Sequence, residues 1–182
     1  SRQPELVAIR GDVAIPMASL GERFSTLQEL IEAGPEALSR VRVAVESASE
    51  ESALPVAGLD YASAILDPPI VLAVGLNYDE HASELNLDND SGPVLFSLFP
   101  NSLNGHQQEV PLPVQLSEEI DYEGELGVVI GRATKNVTAA EALDYVFGYT
   151  VVNDITARNI QFAEPQWSRC KSFDGLPRSA LS

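Results

Sequence analysis

Glu123 and Glu125 bracket a single glycine in the run Asp121-Tyr122-Glu123-Gly124-Glu125-Leu126-Gly127-Val128-Val129-Ile130-Gly131. The apolar second half of that run predicts a strand, and side chains two apart on a strand share a face. The two carboxylates then crowd one small space, with Gly124 turned to the other side, where it leaves room for close backbone packing. Two ionised groups held so close repel each other unless a proton or a cation lies between them. Hard oxygen ligands suit Mg²⁺, Mn²⁺ or Ca²⁺. The short E-x-E pattern also describes an exposed strand face with two solvated glutamates, so a third acid is needed to separate the readings. Asp154 is the candidate: the apolar strand Val146–Val152 runs into Asn153-Asp154 and then into a helix-like Thr156–Gln161. There it can join the glutamates or cap the helix that follows.

A second constellation lies upstream. The stretch Gly75-Leu76-Asn77-Tyr78-Asp79-Glu80-His81-Ala82-Ser83-Glu84 leaves an apolar strand and turns helical, placing His81 and Glu84 three apart on one helix face. A carboxylate beside an imidazole raises the histidine's basicity and fixes its tautomer, which suits proton abstraction from water near neutral pH. An incidental pair on a surface helix has the same spacing. Downstream, Gln166–Gly175 gathers Arg169 and Lys171 among aromatic residues, with Arg158 just before it. These cations could hold a carboxylate substrate, arginine as a planar fork and lysine as a point charge.

The elements that position these groups fall into two stretches. Leu6–Ile9 and Val13–Ile15 flank Gly11-Asp12 and predict a hairpin. Ser25 followed by Gln28 has capping-box spacing, and Leu27, Leu30 and Ile31 give a helical stripe ending at Gly34. Pro35 suits the first turn of a second helix through about Ser47, with Leu38, Val41 and Val45 on one side. Pro68-Pro69 then marks a boundary, since proline breaks both helix and ladder. Beyond it the pattern predicts strands at Ile70–Val74, Val94–Phe96, Glu123–Ile130 and Tyr149–Asn153, with helical stretches after Tyr78 and near Thr138–Tyr145. The expectation is an α+β protein.

Composition narrows the partners. The 182 residues are 45% apolar, enough to bury a core in one large or two small domains. A net charge of −16, from 11 basic and 27 acidic residues, would repel nucleic acid and anionic membranes. Charge of this kind also keeps ordinary proteins soluble, so it names no substrate. The lone Cys170 can form no internal disulfide and no Cys–His spacing suggests zinc. No apolar run in this sequence reaches bilayer-spanning length. These features favour a soluble, cytoplasmic protein, and Ser1 in place of methionine suggests processing or trimming.

Four blocks, in order, resemble the fumarylacetoacetate hydrolase family: Val74-Gly75-Leu76-Asn77-Tyr78 with His81 and Glu84; Pro100-Asn101-Ser102-Leu103-Asn104-Gly105; Asp121–Gly131; and Gly148–Arg158. The likeness runs from about Pro69 to Gly175. It implies a mixed β-roll catalytic domain at 69–182, incomplete at its C-terminal end, preceded by a small α/β N-terminal domain at 1–68. Carried over by position, it implies Glu123, Glu125 and Asp154 as ligands of Mg²⁺ or Mn²⁺, His81 with Glu84 as the water-activating dyad, and Lys171 as a catalytic lysine. It further implies Arg158, Gln161 and Tyr78 around the substrate. The implied reaction is hydrolysis of a C–C bond in an acylpyruvate or fumarylacetoacetate-like 2-oxo acid through a metal-stabilised enolate, in a homodimer. Isomerase, hydratase or oxaloacetate-type decarboxylase chemistry are the alternatives within the family, and a non-catalytic binding protein is the alternative outside it. Three positions depart from the pattern: Leu98 replaces a common basic residue, His106 a proline and Asn159 an acid. The first removes an expected contact to a substrate carboxylate.

Overall fold

The protein is described by a computed structural model in which residues 3–78 and 92–174 are described in full and 178–180 by backbone alone. β1 (Val7–Arg10) and β2 (Val13–Pro16) form the expected hairpin, with Val7 opposite Pro16 and Arg10 opposite Val13. Gly11 takes the φ of +60° its turn requires, which glycine adopts without a Cβ clash. β3 (Leu54–Pro55) adds to the free edge of β2.

α1 (Leu27–Glu32) is capped one residue later than the Ser25–Gln28 spacing suggests. The Thr26 hydroxyl accepts from the Glu29 N–H at 3.1 Å, and the Glu29 carboxylate accepts from the Ser25 N–H at 2.7 Å. A charged glutamate satisfies the open N–H groups of a helix start better than a neutral glutamine, so the threonine–glutamate pair prevails. α2 (Gly34–Ser47) carries Pro35 in its first turn as expected. Its Ala37 and Val41 join Met17 and Leu30 in a buried cluster, with Leu38 and Val45 packed against it. Arg10 closes the far end of α2 by donating to the Val45 and Ala48 carbonyls at 2.6 and 3.1 Å, where helix carbonyls lack intrahelical partners.

The chain after Pro55 packs on the loop that follows Pro100. The Tyr61 ring stands edge-on to His106 at 5.7 Å, and the Gln108 amide donates to the Asp60 carboxylate. At Gly105 a Cβ would fall on the Tyr61 carbonyl oxygen.

β4 (Val71–Gly75) pairs antiparallel with β5 (Val94–Leu98), and β6 (Ile120–Asp121) with β9 (Thr156–Ala157). β7 (Gly124–Ile130) lies antiparallel to β8 (Val146–Asn153), whose other edge carries β10 (Arg178–Ala180). The β7–β8 register places Gly124 opposite Asn153 and Glu125 opposite Val152, and it slips only at a bulge between Val129 and Ile130. Along β7 exposure alternates residue by residue. Tyr122, Leu126, Val128 and Ile130 face outward, as do Tyr149 and Val151 on the neighbouring strand.

Two helical expectations are corrected. Near Thr138–Tyr145 only a 3₁₀ turn forms, Ala142–Tyr145, because Val146 already enters β8 and too few residues remain to propagate a helix. The helix expected over Thr156–Gln161 starts later, as α3 (Arg158–Ala163), since Thr156 and Ala157 are committed to pairing with Asp121 and Ile120. After α3 comes α4 (Ser168–Lys171). A second buried cluster of Ala157, Ile160 and Cys170 holds these pieces together, flanked by Ile120, Trp167 and Phe173. Trp167 meets the Phe96 ring edge-on at 5.6 Å and fills the space beside Gly75, tying α4 to β4 and β5. The arrangement is α+β, with small sheets and no closed barrel among the described residues. Among the same residues no helix is long and apolar enough to cross a membrane.

Candidate functional site

The start of β7, the end of β8, α3 and α4 deliver charged side chains to one point, and β9 adds the Thr156 hydroxyl. Glu123 precedes β7, and its backbone is clamped to the end of β8: the Asp154 N–H donates to its carbonyl at 2.8 Å, and its own N–H donates to Asn153 Oδ1 at 3.1 Å. Lys171, 2% exposed on α4, places Nζ 2.7 Å from Glu123 Oε2, 2.8 Å from Asp154 Oδ2 and 2.7 Å from Thr156 Oγ1. The Thr156 hydroxyl also lies 3.1 Å from Glu123 Oε1. Arg158 completes the cluster by pairing with Glu123 Oε1 at 2.6 Å and Asp121 Oδ2 at 2.8 Å. Its remaining NH1 contact goes to Gln161 Oε1 at 2.7 Å.

Glu125 shares the inward face of β7. The Tyr78 hydroxyl hydrogen-bonds its carboxylate and accepts from the Leu126 N–H at 3.3 Å. Leu76, with a left-handed φ of +58°, turns the chain between β4 and Tyr78. Burial pushes the Glu125 carboxyl above its ordinary range, and repulsion from Glu123 and Asp154 adds to it, against the pull of Lys171 and Tyr78. Burial likewise raises the Asp154 carboxyl; Lys171 opposes the rise and Glu123 reinforces it. The two shifts have the same origin: more negative charge has been withdrawn from water than Lys171 and Arg158 neutralise.

Among the described residues the buried Asp154 Oδ1 finds no hydrogen-bond partner, although Oδ2 of the same carboxylate is held by Lys171. A buried carboxylate oxygen left unpaired is costly. An excess of acid, all-oxygen donors and an unpaired buried oxygen together fit a hard divalent cation. Glu123, Glu125 and Asp154 are the side chains that could hold it. Among the described residues no three His, Cys, Asp or Glu side chains stand as a ready cage. The Lys171 ammonium takes up contacts with two of the three acids.

Several expected roles change in detail. Gly124 gives no close packing, since a Cβ there would meet nothing within 4 Å; the tight glycine is Gly127, where a Cβ would lie 2.7 Å from Thr150 Cγ2 and 2.8 Å from Val152 Cγ2. Asp154 caps no helix, because α3 begins after Ala157. Arg158 is turned to Asp121 and Glu123, and Gln161 accepts from Arg158. Leu98 is a buried core residue at the end of β5. His81 and Glu84 lie outside the described residues, as does the helix expected after Tyr78. Spacing alone does not single out Asp121, Asn153 and Thr156. The signal was present in D-x-E-x-E at 121–125 and in the two-residue step from Asp154 to Thr156.

The raised Glu125 carboxyl yields a test. A carboxyl whose pKa rises on folding contributes stability fully below its unfolded value and loses it as pH climbs through the folded value. Without metal, Glu125→Gln is therefore expected to flatten the loss of stability between the ordinary value of 4.5 and neutral pH. At neutral pH it should gain about 0.5 kcal/mol, a figure kept small because solvent screens this half-buried group. Urea unfolding across that pH range measures both, and a variant less stable than wild type at neutral pH would contradict the assignment.

The family model described as fumarylacetoacetate (FAA) hydrolase C-terminal matches residues 70–177. The human mitochondrial oxaloacetate tautomerase FAHD2A is 37% identical over 151 residues, which cover 82% of this chain and 47% of that protein. The solved fumarylacetoacetate hydrolase of psychrophilic Exiguobacterium antarcticum superposes with a TM-score of 0.74 at 28% identity, over 95% of this chain and 59% of that one. A maleylpyruvate hydrolase from Sphingobium sp. SYK-6, solved with manganese(II) ion and pyruvate, shares the fold at a TM-score of 0.76 and 20% identity, over 98% of this chain and 62% of that one. The chain spans about half the length of the curated relatives it matches. With the matched range enclosing Glu123, Glu125, Asp154 and Lys171, the chain belongs to the fumarylacetoacetate hydrolase family.

Proposed function

We propose that this chain carries the metal-binding part of an enzyme that acts on a small 2-oxo acid, with hydrolysis of an acylpyruvate-type C–C bond as its reaction. The observation that carries the proposal is the buried Asp154 Oδ1, unpartnered among the described residues, in a carboxylate that shares the Lys171 ammonium with Glu123 and repels Glu125. Those three carboxylates would hold Mg²⁺ or Mn²⁺, and the ion when bound supplies Lewis acidity toward carbonyl oxygen. Arg158 fixes the Glu123 carboxylate from one side while tying down Asp121. Tyr78 orients Glu125. Lys171 brings a buried positive charge to the same point, where it can offset negative charge that develops on a reacting oxygen. His81 with Glu84 serves as the water-activating pair in this reading, and residues 69–182 form the catalytic domain behind a small N-terminal domain at 1–68. A homodimer follows by family analogy.

The competing reading is an isomerase that moves protons on the same substrate class without attack by water. The oxaloacetate tautomerase relative favours it, at 37% identity over 151 residues. Assay of the metal-loaded protein with acetylpyruvate and with oxaloacetate separates the two. Release of acetate and pyruvate from acetylpyruvate, lost in His81→Ala, is the expected result. Equal residual rates of His81→Ala on both substrates would count against a hydrolytic dyad. Protein that binds the ion but turns over neither compound would point to a binding role.

A further inference from the structure

Lys171 occupies the very contacts that a divalent cation would need. Its ammonium has three hydrogens, and three acceptors surround it: Glu123 Oε2, Asp154 Oδ2 and Thr156 Oγ1, all within 2.8 Å. Two of those acceptors belong to the proposed ligand set, and the lysine is 2% exposed, so the contacts are not casual surface pairing. A dication brought against the same oxygens would meet a buried like charge at close range. In this same position Nζ also stands over the Phe96 ring, 5.8 Å from its centroid.

Resting on the metal reading above, we propose that Lys171 is an internal counter-ion that holds Glu123 and Asp154 in place when the site is unloaded and is displaced when a divalent ion enters. The acid cluster thereby folds without metal. Loading moves the lysine off the carboxylates and leaves its charge free for substrate, so the position of Lys171 is coupled to metal occupancy.

The sign of one substitution decides the matter. A lysine that competes with the ion weakens binding, so Lys171→Met tightens it; a lysine that only props the carboxylates in position strengthens binding, so its removal loosens it. Mn²⁺ titration of the full chain, read from the electron paramagnetic resonance signal of the free ion, should show roughly tenfold tighter binding for Lys171→Met than for wild type. Thr156→Val keeps all three proposed ligands and removes one of the lysine's three acceptors, together with the hydroxyl's own 3.1 Å contact to Glu123 Oε1, and should tighten binding a few-fold; it decides the question if circular dichroism shows Lys171→Met unfolded. Glu123→Gln serves as the control that localises the ion. Unchanged or weaker Mn²⁺ affinity in the folded variants overturns the displacement while leaving the metal site standing. Wild type that binds no Mn²⁺, or binds it undiminished in Glu123→Gln, overturns both.

Discussion

Glu123→Gln is expected to destabilise the fold by about 3 kcal/mol, the lower end of the cost of removing one member of a buried ion cluster. Its carboxylate meets Arg158 at 2.6 Å and Lys171 at 2.7 Å, with side-chain exposures of 14% for the arginine, 3% for the lysine and 10% for Glu123 itself. Neutralising Glu123 leaves two buried cations facing Asp154 and Asp121, and Asp121 is half open to solvent. Glutamine can still accept one hydrogen bond, which keeps the loss at the lower end. The contrast with Glu125→Gln makes the prediction sharp. Two glutamates two residues apart on one strand face should respond with opposite signs, because Glu123 is over-supplied with cations and Glu125 is under-supplied. Urea unfolding of the metal-free proteins reads this as a lowered midpoint at unchanged slope. A loss below about 1 kcal/mol, the worth of a surface pair, would mean the cluster is not held as described.

Gly105→Ala is expected to cost about 3 kcal/mol or more, although it adds a single methyl group far from the acids. The added carbon would collide with the Tyr61 carbonyl oxygen and press on the Ala62 carbonyl carbon at 3.0 Å. Those are backbone atoms, so no side-chain rotation relieves the contact, and overpacking of this kind is destabilising. The loop is otherwise closed on itself: Asn104 Nδ2 donates to the Glu109 carbonyl at 2.9 Å, and Asn104 Oδ1 accepts from the Gly105 N–H at 2.9 Å. Relief therefore has to come from lifting the chain around Tyr61, with loss of the Tyr61–His106 ring contact and the Gln108–Asp60 bond. A thermal melt should fall by roughly 6–12 °C, the shift that such a loss produces in a domain of this size. An unchanged melting temperature would show that residues 60–62 do not pack there.

Much of the fold was legible where periodicity and turn chemistry agree. The Gly11 hairpin, the Pro35 start of α2 and the strands at 71–75 and 124–130 follow from local pattern. The errors lie where a long-range partner outbids a local preference. Thr156 and Ala157 read as helix but pair with β6, which no neighbour in sequence announces. The stretch before Val146 has helical composition but too little length before the sheet claims it. Within the site, the i, i+2 spacing of Glu123 and Glu125 foretold a shared face, and the end of a strand foretold where Asp154 would stand. What spacing could not foretell is which cation each acid meets. Lys171 arrives from 48 residues beyond Glu123 and Arg158 from 37 beyond Asp121, so their assignment to the acids rather than to open solvent depends on the packing of α3 and α4. The closely packed glycine was misplaced for a similar reason, since only the cross-strand neighbours Thr150 and Val152 single out Gly127 over Gly124.

β7 turns Glu125, Gly127 and Val129 to one side and Leu126, Val128 and Ile130 to the other, the two separated by nothing more than the parity of residue number. Drift in a lineage can thus exchange individual letters along this stretch far more freely than it can change their count. Deleting one residue between Glu125 and Ile130 would swing Val128 and Ile130 into the company of Lys171's acids or force them out of step with β8. The sheet has a single irregularity with which to absorb such an accident, and it lies at Val129/Ile130, the end remote from Glu123. Gaps and insertions should accordingly be sparse over 123–129 and gather beyond the bulge, a pattern set by geometry before any demand of chemistry.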